Sequence, residues 1–143
     1  MSTIKVSAEH TYEILIDVDW KSELTRLLAG RTRAALIVSE DMQSRVAELN
    51  VGDTELLTFP VPDGEGGKSS ATLLQIWNWL GAAGFTRSDL IVGIGGGAVT
   101  DFAGFAAATW LRGLDWIAIP TTVAGAVDAA IGGKTAINSD YGK

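Results

Sequence analysis

The hydrophobic and polar positions along the chain predict short strands separated by helices. Residues 34–38 (Ala-Ala-Leu-Ile-Val) and 90–94 (Leu-Ile-Val-Gly-Ile) are uninterrupted apolar runs, the pattern of a strand buried on both faces. Runs rich in β-branched and aromatic residues predict further strands at 4–6, 12–16, 55–59 and 116–119. Between most of these strands lie segments long enough to form a helix.

Four longer helices are predicted because a polar capping residue precedes the helical pattern or a glycine follows it. They span about residues 20–28, 40–49, 70–83 and 98–111, with caps at Asp19, Ser39 and Ser69 or Ser70, and stops at Gly30, Gly84 and Gly113. A short helix to about residue 130, a turn at Gly132-Gly133 and an extended piece to Asn138 follow. Strands alternating with helices indicate parallel βαβ units, so we expect an α/β fold: a Rossmann-like, mostly parallel sheet with helices on both faces.

The composition describes one acidic globular domain. The chain has 143 residues, of which 47% are hydrophobic, and 17 acidic against 11 basic residues give a formal charge of −6. An acidic domain repels the phosphates of nucleic acids, so we expect no nucleic-acid partner. Because there is no cysteine, disulfides, thiolate metal sites and cysteine nucleophiles are excluded. The lack of disulfides suits a reducing compartment, and we expect the protein to be cytoplasmic.

No segment predicts export or membrane insertion. The first ten residues lack the apolar centre of a signal peptide, and the longest apolar run, 102–111, is half of the roughly 20 residues that span a bilayer. The only histidine is His10, whereas a catalytic zinc site needs three protein ligands, so we expect no complete metal site in this chain. The turn-like residues 140–143 suggest that the chain stops in mid-fold.

A glycine-rich turn carries the strongest chemical signal. Residues 93–101 (Gly-Ile-Gly-Gly-Gly-Ala-Val-Thr-Asp) connect a buried strand to the alanine-rich helix. Glycines permit positive φ and close approach of a ligand to the backbone, and a helix N-terminus favours a diphosphate. Gly93, Gly95 and Ala98 match a degenerate dinucleotide-binding motif, but no acidic residue ends the next strand, so an ordinary Rossmann site is not predicted. A tight turn without ligand is the alternative; three consecutive glycines are entropically costly, which favours a ligand.

Four other features have both a functional and a structural interpretation. Asp101, expected in the first turn of the helix, would either accept a hydrogen bond from a ligand or stabilise the helix dipole. The charged loop 63–68 would bind ribose and phosphate or form a solvated turn. Thr121 and Thr122, at a strand end, would contact a ligand or cap a helix. The lysines near Gly132-Gly133 would contact phosphate or lie on the surface, and Arg112 would simply stabilise a helix C-terminus.

Together these segments resemble 3-dehydroquinate synthase. The central match is residues 95–108 (Gly-Gly-Gly-Ala-Val-Thr-Asp-Phe-Ala-Gly-Phe-Ala-Ala-Ala). In the family's order follow Arg112-Gly113, Pro120-Thr121-Thr122, Val127-Asp128 and Gly132-Gly133-Lys134-Thr135-Ala136-Ile137-Asn138, and Asp63-Gly64-Glu65 with Lys68 matches the upstream loop. The resemblance covers the whole chain and is specific from about residue 62 to residue 143.

The resemblance implies that residues 1–143 form an NAD-binding α/β domain, and that the family's helical C-terminal domain, with its zinc or cobalt ligands, is absent. The NAD site that it implies contains Asp63, Gly64, Glu65, Gly66, Gly67, Lys68, Gly97, Ala98, Val99, Thr100, Asp101, Thr121, Thr122, Lys134 and Lys143. The implied catalytic residues are Asp128, Lys134 and Arg112, the last acting in a neighbouring subunit, so a homodimer is expected. Ser39 and Asp41 match loosely a region that contacts the adenosine ribose.

The family reaction converts a phosphorylated sugar acid, 3-deoxy-D-arabino-heptulosonate 7-phosphate, to 3-dehydroquinate and phosphate in the shikimate pathway, which leads to aromatic amino acids. NAD transiently oxidises an alcohol, phosphate is eliminated, hydride returns, and the ring opens and recloses; the metal polarises the alcohol. Because this sequence ends before the family's zinc ligands, the isolated chain is expected to be inactive.

Three other functions compete with this interpretation. A related sugar-phosphate cyclase would make a different carbocycle, although Gly132-Gly133-Lys134-Thr135 fits the shikimate enzyme better. An iron-type alcohol or glycerol dehydrogenase shares the glycine-rich loop ending in aspartate but is expected to lack the stretch from Gly132 to Asn138. A non-catalytic binding or assembly domain would show no saturable binding of NAD.

Overall fold

The computed structural model describes residues 1–143 and contains six strands in two sheets. The strands are β1 (Ser2–Ser7), β2 (Thr11–Ile16), β3 (Arg33–Ser39), β4 (Glu55–Val61), β5 (Leu90–Gly95) and β6 (Asp115–Pro120). Strands β1 and β2 form an antiparallel hairpin, and the other four form a parallel sheet in the order β4-β3-β5-β6. The mostly parallel α/β sheet predicted from the sequence is confirmed.

Four α-helices and several shorter turns connect the strands. The α-helices are α1 (Trp20–Leu28), α2 (Gln43–Ala47), α3 (Ser70–Ala82) and α4 (Gly97–Thr109), and the shorter helical segments are Glu40–Met42, Glu65–Gly67, Trp110–Arg112 and Gly125–Ala129. Asp19 and Ser69 cap α1 and α3 as predicted, since each side chain accepts a backbone N–H of the first turn. None of these helices combines the length and the apolar character that a membrane span requires.

Two helix predictions are corrected by the structure. The Ser39 hydroxyl donates to Asp41 Oδ1 at 2.5 Å and makes no capping bond, and only five residues of the predicted ten form α2. Helix α4 ends at Thr109, two residues early, because Leu111 and Arg112 adopt positive φ angles of 47° and 70°. A left-handed conformation cannot continue a right-handed helix.

Strands β3 and β5 are buried on both faces, which explains their uninterrupted apolar sequences. Their side chains alternate between two cores. The core beneath α3 and α4 receives Ala35, Ile37 and Ile91, and the core beneath α1 and α2 receives Ala34, Leu36, Val38, Leu90, Val92 and Ile94. Helices therefore cover both faces of the sheet, as the sequence predicts.

Two glycines allow α4 to lie unusually close to β5. A Cβ atom at Gly93 would lie 2.6 Å from Ala103 Cβ, and one at Gly95 would lie 2.8 Å from Val99 Cβ. Gly95, Gly96 and Gly97 all lack a positive φ, so the positive-φ part of the prediction for this glycine run is wrong. Close packing requires a glycine at Gly95, which fixes the start of α4 against the end of β5.

Candidate functional site

A cleft of about 380 Å³ opens at the carboxyl ends of the parallel strands. Open α/β sheets bind ligands at this edge. The cleft is lined by the end of β3 and the loops after β4, β5 and β6; its residues are Ser39, Asp41, Asp63, Gly64, Gly96, Gly97, Ala98, Val99, Thr121 and Thr122. The structure thus brings together segments that are up to about eighty positions apart in the sequence, and seven of these ten residues were predicted as NAD contacts.

The N-terminus of α4 points into this cleft and presents free donors. The N–H groups of Val99 and Thr100 both donate to the Gly96 carbonyl at 3.1 Å, whereas the amides of Gly97 and Ala98 have no backbone acceptor. Unpaired amides and the positive end of the helix dipole together favour an anion. Two adjacent unpaired amides on residues that line one cleft suit a diphosphate.

Gly125 forms the wall beside these amides and was not predicted as a site residue. A Cβ atom at this buried position would lie 3.1 Å from Gly97 N and 3.1 Å from Thr122 Oγ1. A side chain at residue 125 would therefore crowd the amide of Gly97. The small residues at 124–126 were the available signal, but nothing in the sequence showed that this turn faces α4.

The two threonines after β6 hold the loops of the cleft in register. Thr121 N donates to the Gly95 carbonyl at 2.8 Å, which ties the end of β6 to the end of β5. Thr122 Oγ1 accepts the Gly125 N–H at 3.1 Å, so this residue caps the following helical segment. Capping uses the oxygen as an acceptor and leaves the hydroxyl proton free to be donated to a ligand. The two interpretations of Thr122 are therefore compatible.

A buried ion pair connects the charged loop to α4. Lys68 is only 2% exposed, and its ammonium contacts the Asp101 carboxylate, which is 16% exposed. Asp101 lies beyond the first turn of α4, so the predicted first-turn position, on which the helix-dipole interpretation depended, is wrong. Its partner is instead a lysine 33 residues away in the sequence. Both residues were predicted for the NAD site, and they lie together beside the cleft.

Glu65 is the centre of a small charged network at the rim. Its Oε2 atom lies 3.1 Å from Lys143 Nζ and 3.7 Å from Lys68 Nζ, and Asn138 Nδ2 donates to its carbonyl oxygen at 2.9 Å. The hydrogen bond from Lys143 is the main reason that the pKa of Glu65 lies below its usual value of 4.5. The same contact raises the pKa of Lys143 above 10.5.

The glycines of the loop 63–68 contribute in different ways. Gly64 has a φ of +75° and lines the cleft, whereas Gly66 faces open space. Gly67 is buried, and a Cβ atom there would lie 2.6 Å from the Pro62 carbonyl oxygen. The tight return of the loop therefore needs Gly67, and the loop presents Asp63 and Gly64 to the cleft.

The three predicted catalytic residues lie apart from the cleft. Asp128 and Lys134 are exposed, on the helical segment and on the chain that follows it, and no side-chain hydrogen bond or ion pair of this chain involves them. Arg112 is exposed at the far end of α4, about 20 Å along the helix from Gly97. Nowhere does the chain bring three His, Cys, Asp or Glu side chains together as metal ligands.

The fold and the cleft define the class of protein: a Rossmann-like α/β domain with an anion-binding helix N-terminus at its sheet edge. The family model for the 3-dehydroquinate synthase N-terminal region matches residues 58–143. The chain belongs to the 3-dehydroquinate synthase family.

Curated relatives agree with this assignment. The chain is 45% identical over 137 residues to a 3-dehydroquinate synthase of Streptomyces avermitilis, covering 92% of this chain and 38% of the relative. It is 44% identical over 143 residues to one of Cutibacterium acnes, covering all of this chain and 39% of that relative. The chain therefore spans about two fifths of the length of the relatives it matches.

Solved structures of more distant proteins share the fold. A 2-deoxy-scyllo-inosose synthase complexed with carbaglucose-6-phosphate, NAD+ and Co2+ superposes with a TM-score of 0.87 at 23% identity, covering 99% of this chain and 41% of that chain. A 2-epi-5-epi-valiolone synthase of Streptomyces hygroscopicus with NAD+ and Zn2+ gives 0.78 at 24% identity, covering 95% and 39%. A probable glycerol dehydrogenase of Sinorhizobium meliloti gives 0.58 and covers 72% of this chain and 27% of that one.

Proposed function

We propose that this chain is the NAD-binding domain of an enzyme that converts 3-deoxy-D-arabino-heptulosonate 7-phosphate to 3-dehydroquinate and phosphate. The observation that carries the proposal is the pair of free amides at Gly97 and Ala98, which faces a cleft at the carboxyl edge of the parallel sheet. The family match includes both residues.

The residues of the cleft fit a dinucleotide. The amides of Gly97 and Ala98 would hold the pyrophosphate, because they are unpaired and lie at the positive end of α4. Asp41 and Asp63 supply carboxylates that would accept hydrogen bonds from the ribose hydroxyl groups. Thr121 and Thr122 supply hydroxyl groups. NAD would supply a reversible hydride acceptor, and the chain's own task would be to orient it and to shield one side from water.

The Lys68–Asp101 pair would set the charge beside the cofactor. The buried pair is neutral overall, so it would anchor the loop without adding a net charge beside the cofactor. Lys143 and Lys134 would approach the phosphates or the substrate from the rim, and Lys143 is already held there by Glu65. Asp128 and Lys134 would face a phosphorylated sugar acid, the substrate class implied by the family.

The remaining parts of the proposal concern the whole enzyme. A zinc or cobalt ion would be bound by residues outside this chain, and Arg112 would reach the active site of a second subunit in a homodimer. The exposed position of Arg112 at the far end of α4 supports this role, because its side chain is not engaged within the chain. The absence of cysteine suits the cytoplasm, where a biosynthetic enzyme of the shikimate pathway would act.

Titration of the chain with NAD by isothermal calorimetry tests the proposal. We expect saturable heat from the wild type and at least about tenfold weaker binding by Lys68→Ala, because the loop loses its buried anchor. Lys5→Ala, on the distant hairpin, is the matched control and should bind as the wild type does. No saturable heat from folded wild-type chain would refute the nucleotide site, and equal binding by Lys68→Ala would remove Lys68 from it.

A further inference from the structure

Asn138 makes three hydrogen bonds to the charged loop at residues 63–68. Its backbone N–H donates to the Lys68 carbonyl at 2.7 Å, and its side-chain Nδ2 donates to the Glu65 carbonyl oxygen at 2.9 Å and to Glu65 Oε2 at 3.4 Å. Ser69, at the start of α3, pairs with Asn138 in a parallel bridge. One residue far along the chain therefore joins both ends of the loop's helical turn.

The segment that carries Asn138 is itself anchored on the body of the domain. A Cβ atom at Gly104 of α4 would lie 2.6 Å from Thr135 Cγ2. The absence of a side chain at Gly104 therefore leaves room for the Thr135 methyl group to pack against α4. Ile137 packs against the core beneath α3 and α4. These two contacts, at Thr135 and Ile137, hold the segment against the domain next to Asn138.

The loop has few internal contacts of its own. Its backbone bonds are Gly67 N to the Gly64 carbonyl at 3.3 Å and Lys68 N to the Glu65 carbonyl at 3.1 Å. Three of its six residues are glycine, which lose more conformational freedom on ordering than any other residue. The Glu65 carbonyl accepts from both Lys68 and Asn138, so the asparagine reinforces the one turn that shapes the loop.

We propose that Asn138 is a positioning residue for the dinucleotide site: it holds the loop in the conformation that places Asp63 and Gly64 in the cleft. The inference rests on the proposed function for the identity of the ligand, but the clamp itself can be measured without ligand. A neutral amide suits this place because it donates to Glu65 without adding charge to a network that already contains Glu65, Asp101, Lys68 and Lys143.

Hydrogen exchange on the chain without NAD tests the clamp directly. Asn138→Ala should speed exchange of the Gly67 and Lys68 amides about tenfold and leave the slowest amides of β5 unchanged, because the hydrogen bonds of Asn138 go to the loop and not to that strand. Asn50→Ala removes a comparable asparagine contact, to Gly52 N in a remote turn, and should leave Gly67 and Lys68 unaffected. Unaltered loop exchange in Asn138→Ala would overturn the proposal, whether or not NAD binds.

NAD titration of a second variant separates the effect of the hydrogen bonds that Asn138 donates from the effect of its side-chain size. Asn138→Asp keeps the size of the side chain but removes its N–H donors and places a carboxylate beside Glu65. We expect affinity for NAD about tenfold weaker with Asn138→Ala and weaker still with Asn138→Asp, with the gap between the variants narrowing at high salt. If Asn138→Asp binds NAD as tightly as the wild type does, the proposed hydrogen-bond donation by the Asn138 side chain is wrong. If the wild type does not bind NAD, the proposed function fails, and the hydrogen-exchange experiment still decides whether Asn138 holds the loop.

Discussion

The Lys68 ammonium and the Asp101 carboxylate form an ion pair that is almost closed to solvent. It joins the loop after β4 to the second turn of α4, across 33 positions of sequence. Because a lone buried charge is unfavourable, each member of such a pair requires the other. The pair therefore fixes one side of the cleft relative to the glycine-rich start of α4.

Removing one member of this pair should be more damaging than removing both. We expect Asp101→Ala to lower the free energy of unfolding by about 3 kcal/mol, because Lys68 would remain buried with only the more distant Glu65 as a partner. The double variant Lys68→Met with Asp101→Leu should lose less. Denaturant unfolding of the single and double variants measures the difference, and Arg26→Ala in the exposed Glu23–Arg26 pair is the control. A double variant at least as unstable as Asp101→Ala would contradict the coupling.

Gly125 should be essential for ligand binding although it carries no functional group. In Gly125→Ala the added methyl group lies 3.1 Å from Gly97 N, so it obstructs one of the two free amides. We expect affinity for NAD to fall by at least about tenfold. Calorimetry should show near-normal binding for Gly133→Ala, because a side chain there meets nothing within 4 Å. Equal affinities of the two variants, both folded by circular dichroism, would count against the anion site at Gly97.

The Glu65 carboxyl group should titrate below 4.5, and Lys143→Ala should bring its pKa back towards that value. Since the folded pKa is the lower one, the ionised group stabilises the fold fully above about pH 4.5, and the contribution disappears as the pH falls through the folded pKa. NMR titration of the Glu65 carboxyl carbon across the acid range gives its pKa in the wild type and in Lys143→Ala. Lys134→Ala removes a lysine that has no ion pair with Glu65 and should leave the titration of Glu65 unchanged. If Glu65 has the same pKa in Lys143→Ala as in the wild type, a group other than Lys143 lowers it.

The chain alone should not turn over the proposed substrate, even with NAD and zinc added. The proposed reaction would need a metal to polarise the alcohol, and this chain gathers no set of three metal-ligand side chains. Release of inorganic phosphate from 3-deoxy-D-arabino-heptulosonate 7-phosphate is the measurement, with a full-length relative as the positive control. Phosphate release above the enzyme-free rate would refute the assignment of the metal site to residues outside the chain.

Local patterns predicted the fold well because each strand and helix carries its own signal. The buried runs at 34–38 and 90–94 became β3 and β5, and Asp19 and Ser69 capped the helices they precede. Ser39 is not a side-chain cap: its hydroxyl donates to the carboxylate of Asp41, two residues later, and accepts no backbone N–H of the following turn. The early end of α4 depends on the positive φ of Leu111, which a leucine seldom adopts and the sequence does not indicate.

Site residues were predictable where a motif places them and not where packing does. The loop at 63–68 and the glycine run at 95–97 were recognised by residue type and by family resemblance. The wall at Gly125 and the clamp at Asn138 depend on contacts across 28 and 73 positions, which no local pattern encodes. The Lys68–Asp101 contact is of the same kind, since each residue was predicted separately and their pairing was not.

The hydrogen bond from Thr121 N to the Gly95 carbonyl and the glycines at 96 and 97 make main chain a large part of the cleft's lining. In the proposed function, recognition there would depend on the absence of side chains at the glycines rather than on reactive side chains. Exchanging one polar side chain for another around the cleft would leave its backbone N–H donors intact, while a single added methyl group would obstruct them. The residues that such a surface tolerates are thus limited by side-chain volume. A search of the sequence for reactive groups alone would overlook this surface.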